Sequence, residues 1–210
     1  MKTDILGLHH VTAISNSAQG NFDFYTNVLG LRLVKKTVNF DDPGTYHFYF
    51  GDEQGTPGTI ITFFPWEGIG KGVNGAGIAT HTAYSVPSGS FDFWKSRLQS
   101  FGIESQESVI FDEKVLSFND PDGMQLQLVI PEKNDDREPW TTDQIGKEVA
   151  IRGFHTVTLT LWSAGPTASV LTDILGYTQI MHEGNRYRFA VDTVNNANYI
   201  DILEDSEAPG

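Results

Sequence analysis

Gly7-Leu8-His9-His10-Val11-Thr12 is the stretch on which the fold of this chain turns, because Gly153-Phe154-His155-Thr156-Val157-Thr158 echoes it. A second pair matches in the same order: Tyr25-Thr26-Asn27-Val28-Leu29-Gly30 and Leu171-Thr172-Asp173-Ile174-Leu175-Gly176. Matched stretches at this separation point to an internal structural repeat. Working outward from the first copy, residues 7–14 are a β-rich run, and Ser15-Asn16-Ser17 offers a helix start. Phe22, Tyr25, Val28 and Leu29 then fall at helical spacing, and Gly30 stands where a C′ glycine belongs. Strands are expected over residues 31–40, 46–50 and 59–64, with a turn-rich loop over 51–58. The order is β-α-β-β-β.

The middle of the chain repeats that order. Residues 81–86 read as a strand, and Phe91, Trp94, Leu98 and Phe101 mark a helix closed by Gly102. Residues 105–111, 115–118 and 125–130 read as strands, the last pair joined through the turn Asp120-Pro121-Asp122-Gly123. A third copy opens at Ile151, with later strands over 186–191 and 199–203. The polar stretch 131–146, with Pro131 and Pro139, reads as a linker. The expected organisation is a module over 1–70, a second over 71–131, a linker over 132–150 and a third module over 151–210.

Single helices separated by sets of strands give an α+β fold class rather than a doubly wound sheet. Two such modules side by side form a curved, half-open eight-stranded sheet. The second and third can pair in this way, which leaves the first without a partner. Its inward face, placed at Val11, Phe48 and Phe63, would then be a bare apolar patch, and on that ground a homo-oligomer is expected.

The bulk properties narrow the function. A formal net charge of −13 over 210 residues repels phosphate backbones, so nucleic acid is not an expected partner. No apolar run approaches the roughly 20 residues of a membrane span, so no membrane partner is expected either. The opening residues lack the apolar stretch of a signal peptide, and a cytoplasmic location is expected. Without cysteine there is no disulfide, thiolate metal site or cysteine nucleophile.

At the level of motifs the chain resembles the vicinal oxygen chelate superfamily, which includes glyoxalase I, bleomycin-resistance proteins and the extradiol dioxygenases. It is most similar to the hydroquinone-type ring-cleaving dioxygenases. The resemblance is carried by residues 7–12, by 27–43 (Asn27 to Pro43), by Tyr46-His47-Phe48-Tyr49-Phe50-Gly51-Asp52 and by Ala150-Ile151-Arg152-Gly153-Phe154-His155. It implies Fe(2+) as cofactor and a small aromatic substrate with O2 as reactants. It also implies four modules, the first pairing with the fourth around the iron and the second with the third. A fourth module, supplying a His and a Glu ligand, is therefore expected beyond these residues.

By the same resemblance His10 matches an iron ligand, and His9 and Thr12 match substrate-pocket positions. Two neutral imidazoles and a carboxylate hold Fe(II) on one face and leave positions open for substrate and O2. Strand alternation predicts that His9 and His10 point to opposite faces. The equivalent slots of the other modules hold His81, Gln127, Thr156 and Asp201, a weak donor set that reads as a structural copy. His47 reads as a hydrogen-bonded strand residue, and His182 as an exposed turn residue. Two other functions fit the same fold: a glyoxalase-type isomerase or lyase, and a non-catalytic binder of the bleomycin-resistance type.

Overall fold

The computed structural model describes residues 5–192 and 197–210; residues 1–4, at the opening stretch read above for a signal peptide, lie outside it. The first copy runs β1 (His10–Ser15), α1 (Ala18–Asp23), β2 (Arg32–Val38), β3 (Tyr46–Gly51) and β4 (Ile60–Pro65). The second runs β5 (Ile78–Ser85), α2 (Phe91–Ser100), β6 (Ser105–Ile110), β7 (Glu113–Asn119) and β8 (Gln125–Ile130). The third runs β9 (Gly153–Leu161), α3 (Gly165–Ser169), β10 (Thr178–Glu183), β11 (Arg186–Ala190) and β12 (Tyr199–Glu204). No helix among the described residues is long and apolar enough to cross a membrane.

The second and third copies share one curled eight-stranded sheet, ordered β10-β11-β12-β9-β5-β8-β7-β6. Their junction is the antiparallel pair β5–β9. The first copy forms its own four-stranded sheet, ordered β1-β4-β3-β2, with β1 parallel to β4 and lying at the edge. The fold is therefore α+β, with one completed cup and one half-cup.

The repeated Tyr25–Gly30 and Leu171–Gly176 stretches mark a shared local device. Each short α-helix widens into a π-helical turn, Phe24–Val28 after α1 and Val170–Ile174 after α3. Leu29 donates to the Phe24 carbonyl and Leu175 to the Val170 carbonyl, both at 3.1 Å. Gly30 and Gly176 follow at φ +71° and +75°, the left-handed conformation that glycine adopts without a Cβ clash.

The apolar faces of the first two copies meet back to back. Tyr25, Phe50 and Phe63 of the first and Tyr84, Trp94, Leu98 and Leu116 of the second belong to one buried cluster. This corrects the expectation of a bare apolar face on the first copy. Phe48 and Phe63 are buried, and Val11 packs against the same cluster. The apolar side of that sheet is the covered one, because alternation along β1, β3 and β4 sends the aromatic and aliphatic residues under the helix. The third copy keeps a separate core around Leu171, Tyr177, Phe189 and Ile202.

The segment between the second and third copies is tied down along its length. The Arg137 guanidinium donates to the carbonyls of Gly58 at 3.2 Å and Phe154 at 2.8 Å, and to Ser85 Oγ at 3.2 Å. Each of those three partners belongs to a different copy. Asp135 accepts from both Arg137 and Ser85.

Candidate functional site

The uncovered face of the four-stranded sheet carries the candidate site. Along β1 it presents His10 and Thr12, along β4 Thr62 and Phe64, along β3 His47 and Tyr49, and along β2 Lys35. The register aligns them: Thr12 lies beside Thr62, Thr62 beside Tyr49, and Tyr49 beside Lys35. Val11 and Ala13 on β1, Phe48 and Phe50 on β3, and Ile61 and Phe63 on β4 face the buried core instead, so alternation along these three strands separates a polar face from an apolar one.

His9 and His10 do not point to opposite faces. β1 begins at His10, so alternation does not govern His9. Their Nδ1 atoms lie 3.1 Å apart and the rings meet edge to face at 5.2 Å. One of the two nitrogens must carry the proton and the other accept it. Partial burial, with His9 adding to it, lowers the His10 pKa below the ordinary histidine value. Both residues and Thr12 are exposed.

A hydrogen-bonded row crosses the same face. Tyr49 Oη lies 3.0 Å from His47 Nδ1, His47 Nε2 lies 3.1 Å from Thr62 Oγ1, and Thr62 donates to Thr12 Oγ1 at 2.9 Å. The His47 ring stacks on Phe64 with centroids 4.0 Å apart. Burial lowers the His47 pKa, helped by the charge of Lys35 and the proximity of His10. His47 is thus the hydrogen-bonded strand residue expected, and it also faces the cup.

The second cup is furnished differently. Arg188 is buried and makes a two-point pair with Asp201, at 2.8 Å from Nε and 2.9 Å from Nη2. Its Nη1 reaches Glu113 at 2.5 Å, and Glu113 also meets His155 Nε2 at 2.8 Å. Phe111 and Tyr199 flank the guanidinium, their ring centroids 4.8 and 5.1 Å away. The paired carboxylates hold Arg188 firmly charged against the cost of burial. Glu113 is pushed up by burial but held below the ordinary glutamate value by His155 and Arg188.

The four residues placed in this cup's ligand slots do different work. Asp201 is engaged by Arg188, and Gln127 donates to Ser117 at 3.2 Å. His81 is pushed down to about 4 by burial and by Arg186. Pairing of β9 with β5 skips His155, and the bulge brings His155 into the cup beside Thr156. Arg188 and Glu113 had no assigned role in the sequence reading. Arg188 becomes legible only through its register opposite Asp201.

Two turn assignments divide. Asp120 is a turn residue as expected: its Oδ1 accepts from Asp122 N at 2.9 Å and Met124 N at 2.8 Å, and its Oδ2 from Tyr25 Oη at 3.1 Å. His182 is exposed but sits on β10, stacked on Tyr187, and the turn falls after it at Gly184.

Among the described residues no group of three or more His, Asp and Glu side chains is placed to hold a metal ion. On the first copy's open face His10 offers one imidazole beside His9, without a carboxylate. This donor set does not by itself fit Fe(II).

Residues 7–128 match the family model described as "Glyoxalase/Bleomycin resistance protein/Dioxygenase superfamily". Among curated proteins, the chain is 50% identical over 190 residues to "Putative ring-cleaving dioxygenase MhqE" of Bacillus subtilis, covering 90% of this chain and 62% of that protein. It is 36% identical over 209 residues to "Chlorohydroquinone/hydroquinone 1,2-dioxygenase" of Sphingobium indicum, covering 97% of this chain and 65% of that protein. The chain thus spans less than two thirds of the length of these relatives. A crystal structure of a Bacillus subtilis protein described as a "putative dioxygenase" superposes with a TM-score of 0.91 at 44% identity, over 100% of this chain and 66% of that one. A maize glyoxalase I variant, at 14% identity and a TM-score of 0.69 over 97% of this chain and 71% of that one, shares the fold.

Proposed function

Because the chain belongs to the glyoxalase/bleomycin resistance protein/dioxygenase superfamily, we propose that it serves an Fe(II)-dependent extradiol-type ring-cleaving dioxygenase acting on hydroquinone- or catechol-like aromatics. The observation that carries this is the exposed polar face of the first copy, with His10 and Thr12 on one strand, in a chain 36–50% identical to proteins named for that chemistry. In this reading His10 is one metal ligand, and His9 and Thr12 contact substrate. The remaining ligands come from a further β-α-β-β-β module seated against β1, just as β9 is seated against β5 within the completed cup. The described residues leave that ligand set unfilled.

The chain's own residues bind and orient. The aromatic and hydroxyl-bearing face, backed by the packed core, holds a phenolic ring in place while His9 and Thr12 meet its polar groups. The test is oxygen uptake with hydroquinone and Fe(II) by this chain fused to the part of MhqE that it does not match. Uptake is expected, and His10→Ala is expected to abolish both uptake and iron binding. Equal uptake by the two would remove His10 from the reaction, and none from either would overturn the dioxygenase reading.

A further inference from the structure

We propose that the completed cup of the second and third copies holds a second small-molecule site, built on Arg188 and Glu113, which takes an uncharged primary carboxamide carried on a flat apolar group. The inference is independent of the reaction proposed for the first copy, because the two faces belong to different sheets.

A cavity of about 500 Å3 opens in this cup, a size suited to small-molecule sites. Its lining includes Phe111, Glu113, His155, Met181, Arg188 and Tyr199. Glu113, His155 and Arg188 are buried. Arg188 does not exhaust its donors there. A guanidinium carries five N–H groups, and Arg188 commits one from Nε and one from Nη2 to Asp201 and one from Nη1 to Glu113. One N–H on each terminal nitrogen is left over. Glu113 leaves an acceptor in the same way. Its Oε2 receives both His155 Nε2 and Arg188 Nη1, while Oε1 has no hydrogen-bond partner among the described residues. Unmet donors and an unmet acceptor thus lie on neighbouring buried groups, where each costs free energy until it is paired.

Complementarity then selects the ligand. A carboxylate has acceptors only, and it would bring a further negative charge to Asp201 and Glu113. An ammonium has donors only, and it would face the guanidinium while leaving those N–H groups unmet. A primary amide answers both: its carbonyl accepts from Arg188 and its NH2 donates to Glu113 Oε1, with no net charge to bury. Phe111, Met181 and Tyr199 supply apolar surface for the group that carries the amide.

Local strain marks the same wall. The hairpin between β6 and β7 turns on Phe111 and Asp112, at φ +52° and +62°, the non-glycine residues at positive φ among the described ones. A bulky side chain in that conformation is an outlier, and such strain gathers at ligand clamps. Here it sets the Phe111 ring 4.8 Å from the Arg188 guanidinium. Tyr199, at 5.1 Å, helps to fix the plane in which the leftover N–H groups lie.

The experiment titrates the 210-residue chain with benzamide, benzoate and benzylamine, following 15N-labelled arginine and histidine by nuclear magnetic resonance. Benzamide is expected to shift Arg188 and His155. It is expected to bind about tenfold more tightly than either charged analogue, the worth of one hydrogen bond to a charged group. Met181→Trp, at an exposed position on the edge strand β10, is expected to fill the cavity and abolish the shifts. Glu113→Gln removes one negative charge and is expected to bring benzoate level with benzamide. Benzoate or benzylamine binding the unaltered chain as tightly as benzamide would overturn the proposal. So would benzamide shifts that miss Arg188 and His155 or survive Met181→Trp, or a folded Glu113→Gln that keeps the preference for the amide. If Glu113→Gln does not fold, the ligand series on the unaltered chain and on Met181→Trp decides.

Discussion

His81 shows how one side chain reports the state of the second cup. Burial and the nearby Arg186 push its pKa down to about 4, against an ordinary value near 6.5. The unfolded chain therefore binds more protons than the folded one between those values, and stability falls as pH falls through that window. The contribution is complete above about pH 6.5 and is lost on approaching pH 4, amounting to roughly 2–3 kcal/mol after allowance for partial solvent contact. His81→Gln is expected to flatten this part of the profile, which urea unfolding at pH 7 and pH 4.5 will read. An unchanged slope would mean that another group carries the acid sensitivity. The residue scale is also where sequence reading reached furthest and failed most sharply. The family resemblance singled out His10 and Thr12, which do lie on one face of β1, and Tyr46 to Phe50 already encodes His47 and Tyr49 opposite Phe48 and Phe50. The mutual contact of His9 and His10 was not legible, since it depends on where β1 starts. Arg188 was not legible either, since a lone arginine on a strand says nothing until the opposite strand's register is known.

At the scale of elements, the β-α-β-β-β order could be read because turn residues and periodicity punctuate each copy. β10 was missed: all six of its residues are exposed, so no apolar alternation marks it. The connecting segment was also underrated, because its polar composition conceals what one guanidinium does. Arg137 satisfies backbone carbonyls of the first and third copies and a hydroxyl of the second, with Asp135 as its counter-charge. Both side chains are largely buried, at 13% and 5% exposure. Gly153, at φ +143°, makes room for it: a Cβ there would stand 2.5 Å from Arg137 Nη1. Arg137→Ala removes the cation beside the buried Asp135 carboxylate and the donor that three acceptors share, and is expected to cost about 3–5 kcal/mol in denaturant unfolding. Arg137→Lys is expected to recover less than half of that, because an ammonium lacks the fork that reaches three acceptors. A loss under 1 kcal/mol would show that the segment is held by other contacts.

For the whole molecule, the pairing of the second and third copies followed from the requirement that each sheet find a mate. The back-to-back packing of the first and second did not follow, since helix-face contacts between copies leave no periodic signal. That packing makes the first two copies one cooperative body. Trp94 is fully buried at its centre, and its Nε1 donates to the Val149 carbonyl at 2.9 Å. Trp94→Ala is expected to cost about 3–5 kcal/mol. Hydrogen exchange is expected to accelerate in β3 and β4 as well as in β7 and β8, though the substitution lies in the second copy alone. Acceleration confined to the second copy would refute the shared core.

The buried guanidinium of the second cup carries a consequence for life under metal limitation. Its positive charge arrives by translation rather than by uptake, so no chelator can strip it and no competing ion can take its seat. In the proposed enzyme this half would fold to the same shape in starved and replete cells alike. It would offer the iron-dependent half a platform already assembled when the metal arrives, and confine mismetallation to a single place.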